Sequence, residues 1–269
     1  MNSNNYDAGF VYSFDMSEEM PYFKSMPEDI QASAESNTVE VIYESFVTPA
    51  DEDYLMSRFL AQKGFERGFY WAAAQATEKY LKAFLLMNGQ SVKNFKGHPI
   101  KKLFEAAGKV DESILALQIT PHQNIVVEPS VSNLLKKFTA QSFIAELEKY
   151  GSPDNRYNAF GVEYNTGHLF AMDSFSFQLR KKIGVISIDR SFNRVSPELI
   201  ELFERYNPWF SLERNLTLNQ IPNRDFPIKS SSSITKLEFL IKNNDSPAYN
   251  MALRWLNAKM ILPKIDKNL

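Results

Sequence analysis

The chain has 269 residues, 44% of them hydrophobic and 23% charged, with a formal net charge of −2, ordinary values for a soluble globular protein. The absence of cysteine excludes disulfides, thiolate catalysis and cysteine metal sites, and three widely separated histidines (His98, His122, His168) leave little material for a histidine-ligated metal. No run approaches the roughly 18 apolar residues of a membrane span, and MNSNNYDAGF lacks the basic start and apolar segment of a secretory signal, so a cytoplasmic protein with no membrane contact and no cofactor is expected.

The small net charge hides an asymmetry. Residues 1–53 hold twelve acids against one base, Lys24, a charge of −11; the rest of the chain carries 29 bases against 20 acids, or +9. An acidic leader ahead of a basic body admits two readings. One is a body surface for nucleic acid or nucleotide that the leader covers as a competitor; the other is a solvated arm that only maintains solubility.

Taken in order, residues 1–36 mix Asn, Ser, Glu, Met and Pro without a sustained period and predict an irregular arm. Thr38 to Val47, TVEVIYESFV, places Val39, Val41, Tyr43 and Val47 on one parity, which predicts a short strand at 38–47. Thr48-Pro49-Ala50-Asp51 opens a helix that runs from about Glu52 to Lys63, with Thr48 or Asp51 as cap. Phe65 to Gly89 is the longest periodic stretch: Phe65, Phe69, Ala72, Ala76, Tyr80, Ala83 and Met87 recur at steps of three and four, and Asn88-Gly89 stops it. Its polar side carries Arg67, Gln75, Glu78 and Lys82, with Glu78 four residues before Lys82 in the favourable order for a pair.

Gly97-His98-Pro99 starts a helix whose stripe is Ile100, Leu103, Phe104 and Ala107, with Gly108 as its end. Ile114 to Ile119 reads as a helical turn, and Ser132 to Tyr150 as a helix bent near Thr139. Thr166 to Ile183 reads as a further helix stopped by Gly184, with Arg180, Lys181 and Lys182 at its negative end. Val185 to Ile188 is strand-like and suits pairing with 38–47. Beyond it come a helix from Ser196 to Tyr206, an aromatic turn at Asn207 to Phe210, a loop through the serine run Ser230 to Ser233, and short helices at Ile234 to Lys242 and Ser246 to Leu256.

The wording Tyr70-Trp71-Ala72-Ala73-Ala74-Gln75-Ala76-Thr77-Glu78-Lys79-Tyr80-Leu81-Lys82-Ala83, followed by Gly97-His98 and later by Tyr150 and Arg156-Tyr157, resembles the HEPN family (higher eukaryotes and prokaryotes nucleotide-binding) over about residues 51–184. The resemblance implies a mainly α fold, an antiparallel helical bundle that commonly dimerises. It is flanked here by an acidic N-terminal arm (1–50) and a C-terminal helical extension (185–269). It also implies a setting in toxin–antitoxin pairs, defence or RNA processing, either as a metal-independent ribonuclease or as a binding module for nucleotide, RNA or a protein partner. The residues it singles out for ligand binding are Glu78, Lys79, Lys82, His98, Arg156 and Tyr157.

Ribonuclease members carry Arg, four to six residues, then His. The pair makes chemical sense, because one group takes the ribose 2′-hydroxyl proton while the other stabilises charge on the phosphate. Arg156 stands at the expected place, but His168 is twelve residues on, and no other Arg has His at the family spacing. The expectation is a non-catalytic module, with a divergent ribonuclease acting through Arg156 across a dimer cleft as the alternative. The same residues have plainer roles available: a solvated pair for Glu78 and Lys82, a cap for His98, a salt bridge from Arg156 to Glu146, Asp154 or Glu163, and core packing for Tyr70, Trp71, Tyr80 and Phe84.

Overall fold

A computed structural model describes residues 10–157, 161–185, 207–213, 221–222, 228–243, 245, 252–253 and 255–256, of which 156–157, 211–213, 221–222 and 233 are described by their backbone alone. The fold is mainly helical. Helix α1 (Glu28–Ile42) runs through a π turn (Tyr43–Val47) into α2 (Thr48–Lys63). Then come α3 (Glu66–Met87), α4 (Ile100–Val110), the single turn α5 (Pro129–Ser132), α6 (Ala140–Tyr150), α7 (Thr166–Ile183), α8 (Pro208–Glu213) and α9 (Lys236–Lys242).

The segment expected as a strand, 38–47, is instead helix and π turn. Val39, Ile42, Tyr43 and Val47 are all buried while Val41 is 61% exposed, so the burial period is that of a helix. β-branched residues made the stretch look extended; packing overrode that propensity. The widened turn sits just ahead of Pro49, whose ring and missing N–H disturb the α ladder there. The expected cap at Thr48 or Asp51 is absent because the rod is continuous: α2 has no side-chain cap, and Asp51 is fully buried.

The N-terminal arm is likewise more ordered than expected. It contains most of α1, and Phe10, Tyr12 and Phe23 are buried. Phe10 packs edge-on against Tyr43 at 5.3 Å, the Val11 N–H donates to the Ile183 carbonyl and the Ser13 N–H to the Met87 carbonyl. The acidic segment is thus fastened by aromatic burial, while two of its acids, Asp51 and Asp53, reach cations of the body.

Helices α2 and α3 form an antiparallel hairpin turned at Gly64, which takes the left-handed conformation (φ 78°). The contacts Asp51–Tyr80, Asp53–Lys79 and Leu60–Gly68 descend on one helix as they climb on the other. Helix α7 packs on both: Asp173 meets Arg58 of α2, while along α3 His168 meets Tyr70, Met172 meets Thr77 and Arg180 lies over Tyr80. Fourteen of the 22 residues of α3 and fifteen of the 18 of α7 are buried, so both are central. The α3 stop falls where the sequence places it, with Gly89 at φ 71°. Gly184 does the same for α7 at φ 83°. Helices α4 and α6 cover α3 and α7 through Phe104 and Phe143, both against Phe175.

Several boundaries differ from expectation. Helix α4 begins at Ile100, with Pro99 as the residue before it, and passes through Gly108 to Val110. Gly108 is tolerated because Leu115 lies so close that a Cβ there would come within 2.5 Å of it. Glu112–Ile114 is a 3-10 turn followed by strand β1 (Gln118–Ile119), and the helix expected from Ser132 starts only at Ala140. Strand β3 (Phe138–Thr139) occupies the gap and pairs with β1, and Thr139 caps α6 reciprocally with Ser142. After α6 the chain forms a 3-10 helix over Pro153–Tyr157.

The C-terminal residues dock on the bundle through strands. Strand β4 (Val162–Asn165) pairs antiparallel with β6 (Ser230–Ser233), the serine run expected as loop, and β2 (Ile125–Val126) pairs parallel with β5 (Ile221–Pro222). Asn207 to Phe210 is the start of α8, and Phe210 is 3% exposed against Tyr54 and Phe177. With 38–47 helical, the strand pairing expected for 185–188 has no partner there; residues 186–188, the helix at 196–206 and most of the one at 246–256 lie outside the described residues. No described helix is long and apolar enough to cross a membrane.

Candidate functional site

The outer stripe of α3 reads Arg67, Trp71, Gln75, Glu78, Lys82, in steps of four, four, three and four, so all five share one face. Arg67 is exposed, and Trp71, Gln75 and Lys82 are half-buried. His98 reaches this stripe from the loop before α4. Its backbone is left-handed (φ 62°), a conformation uncommon for a residue with a side chain, and it aims the imidazole back at α3. His98 Nδ1 lies 2.6 Å from Glu78 Oε2 and 3.3 Å from Gln75 Nε2, and the ring stands edge-on to Trp71 at 6.1 Å. The other Glu78 oxygen, Oε1, accepts from Lys82 Nζ at 2.6 Å.

Glu78 is 8% exposed in its side chain and His98 39%. A carboxylate this covered is stable only when paired, and two cationic or donor groups hold it. With Nδ1–H donated to Glu78, Nε2 is the ring nitrogen left for a further partner. His98 therefore packs beside α3 and does not take the expected role of a cap for α4: no side chain caps that helix.

Of the residues singled out by the sequence, Glu78, Lys82 and His98 come together. Lys79 does not join them, because it turns toward α2 and pairs with Asp53. Arg156 and Tyr157 have backbone in the 3-10 turn after α6, and their side chains lie outside the described residues. That turn follows directly on Gly151, where a Cβ would come within 2.5 Å of Ala74 and 2.6 Å of the Tyr70 carbonyl, so the chain enters it in close contact with α3.

His168 is fully buried and held at both nitrogens: the Asn165 N–H donates to Nδ1 at 2.9 Å, and Nε2 meets Glu146 Oε2 at 2.7 Å. Burial works against the Glu146 charge, yet the hydrogen bonds from His168 and Lys136 outweigh it and hold this carboxyl below the usual range. Lys136 also reaches Glu163 at 3.1 Å, so two of the three acids suggested as partners for Arg156 already have a cation. His122 is buried under Trp209, with its Nδ1 accepting from the Asn124 N–H, and burial lowers its pKa.

The sequence did not reveal two fully buried charge networks. Arg180 pairs with Asp51, which also accepts from the Tyr80 hydroxyl. Arg58 pairs with Asp173, which accepts from the Tyr54 hydroxyl at 2.5 Å, and Tyr54 accepts from Asn207 Nδ2 at 3.0 Å. Burial drives the Tyr54 and Tyr80 phenols far above their ordinary range, so both stay protonated donors. The cations at the end of α7 are accordingly divided: Arg180 is interior, and Lys182 pairs with Asp111 at 2.6 Å. The available clue was spacing, since Asp51, Tyr54 and Arg58 share one helix face with buried Ala50 and Ala61 to either side. Tyr70, Tyr80 and Phe84 are core residues as expected; Trp71 is only partly covered.

No group of three or more metal-ligating side chains occurs among the described residues. Compared with protein-family models, with curated proteins and with solved structures, the chain matches none.

Proposed function

We propose that the chain is a HEPN-like helical module that binds RNA or a nucleotide on the outer stripe of α3 without cleaving it. The supporting observation is the constellation Trp71–Gln75–Glu78–Lys82–His98: an aromatic edge, an imidazole tethered to a carboxylate, and an ammonium group on one half-open face. Aromatic and cationic groups side by side suit a base and its phosphate. Glu78 does not repel a phosphate here because Lys82 and His98 occupy its two oxygens. The absence of catalysis rests on His168, the histidine nearest Arg156 in sequence, being buried and bonded at both nitrogens.

One observation favours a second reading, a divergent metal-independent ribonuclease that uses Arg156 across a dimer cleft. A carboxylate that orients an imidazole is the arrangement of a general base, and Glu78 holds His98 in that way. Both readings meet in one experiment. Single-stranded RNA is incubated without metal with wild type, Arg156→Ala and His98→Gln, products are examined for 2′,3′-cyclic phosphate ends, and binding is followed by fluorescence anisotropy. The binding reading expects intact RNA throughout, and about tenfold weaker binding when His98→Gln is combined with Lys82→Gln, the scale of one lost stacking or phosphate contact. Cleavage lost in either single variant establishes the ribonuclease instead. RNA bound by neither protein, with a protein partner captured through the α3 stripe, defeats both.

A further inference from the structure

The turn between α2 and α3 carries a second group of solvent-facing cations and aromatics that the α3 site does not use. A cleft of about 550 Å³ opens there, lined by Leu60, Gly64, Phe65, Arg67, Gly68 and Val162, with Glu66 as its carboxylate. Phe65 is 61% exposed, an unusual position for a phenyl ring on a folded surface, and Phe59 in the last turns of α2 is 38% exposed. Lys63 stands over the Phe59 ring at 5.8 Å from its centroid, and Arg67 projects from the first turn of α3.

The third cation comes from the far end of the chain. Lys229 precedes β6, and its backbone is fixed on the start of α7: its N–H donates to Thr166 Oγ1 at 2.8 Å, and its carbonyl accepts from the Thr166 N–H at 3.0 Å. The side chain then reaches the turn, where Nζ lies 3.6 Å from the position a Cβ of Gly64 would take. The turn thus gathers Arg67 beside Phe65 in the cleft, Lys229 at Gly64 and Lys63 over Phe59; among the described residues the cleft's lining holds one carboxylate, Glu66, and Glu163 of β4 is held by Lys136.

We infer that this turn is a subsite for single-stranded RNA, in which Arg67 and Lys229 take a backbone phosphate and Phe65 stacks a base. The inference rests on the RNA-binding reading and extends it along the same stripe, since Arg67 is one helical turn from Trp71. The charge balance selects an anion, and the exposed aromatic ring beside Arg67 selects a nucleic acid whose bases are unpaired over a duplex, whose bases are already stacked. It also gives the C-terminal segment a role in binding, through Lys229.

The test uses the full chain and a fluorescein-labelled oligouridine, with duplex RNA of equal length as comparison and affinity followed over a salt series. Arg67→Ala and Lys229→Ala are each expected to weaken oligouridine binding and to lower the slope of log K against log salt by about 0.7, the contribution of one single-strand phosphate contact. Phe65→Ala is expected to weaken binding about tenfold with the slope unchanged, as loss of a stacked base does, and Lys229→Arg to keep wild-type binding. All these side chains are exposed, so thermal melts should match wild type. Unchanged affinity in Arg67→Ala, Lys229→Ala and Phe65→Ala, beside a loss in the His98→Gln, Lys82→Gln variant, overturns the subsite and leaves the α3 reading standing. Equal binding of duplex and single strand also overturns it. A wild-type protein that binds no RNA removes both.

Discussion

Substituting Asp173 by Asn tests whether the buried charges hold the helices in register. Asp173 is 2% exposed and stands between the guanidinium of Arg58, itself fully buried, and the hydroxyl of Tyr54. Asparagine keeps the size and one acceptor oxygen, so Tyr54 can still donate. What disappears is the negative charge opposite a guanidinium that burial cannot neutralise, because the pairing raises Arg58 above an already high ordinary value. Breaking a buried ion pair by removing one partner costs about 3–5 kcal/mol. For a chain of this size that corresponds to a fall in Tm of about 6–20 °C. Replacing both partners, as Arg58→Met with Asp173→Asn, removes the stranded charge and should recover stability to within about 1–2 kcal/mol of wild type. Urea unfolding followed by circular dichroism reads all three proteins. A single variant costing under about 1 kcal/mol, or a double variant no better than the single, would refute the argument that charge pairing dominates this site.

Three further outcomes follow from the same structure. Phe10→Ala should cost about 3–5 kcal/mol in urea unfolding, because the ring is 2% exposed against Tyr43; a cost near zero would mean the N-terminal arm is not part of the core. Gly151→Ala should destabilise by about 1–3 kcal/mol, since the new methyl meets the backbone carbonyls of Tyr70 and Leu147 within 2.7 Å, and an unchanged melting temperature would show that the α3–α6 contact yields freely. Glu146, with its pKa depressed by His168 and Lys136, contributes stability above the ordinary carboxylate range and loses it as pH falls through its folded value. Unfolding free energy should therefore decline on acidification below about pH 5, and Glu146→Gln should flatten that decline; identical pH profiles for the two proteins would exclude Glu146 as a contributor.

The sequence by itself determined the helices whose signals are local. Helices α3 and α7 were legible because an unbroken apolar period ends in a glycine, Gly89 or Gly184, that takes the left-handed turn. The Glu78–Lys82 pair was legible for the same reason, since four residues along one helix fix its geometry. Where local preference and packing disagreed, packing prevailed. Residues 38–47 carry β-branched side chains yet wind as helix to bury Val39, Ile42, Tyr43 and Val47 together, and the serines at 230–233, poor strand formers, extend because β4 offers them a partner.

Tertiary structure alone decided the charges. Asp51 with Arg180, and Arg58 with Asp173, meet across 129 and 115 residues, and nothing in the spacing of one helix names the partner on another. It likewise set Lys79 apart from Glu78 and Lys82, brought His98 to Glu78 through a left-handed loop residue, and carried Lys229 to the turn at Gly64. Periodicity records which face of an element is buried; which distant side chain waits on the other side is fixed only when the elements pack.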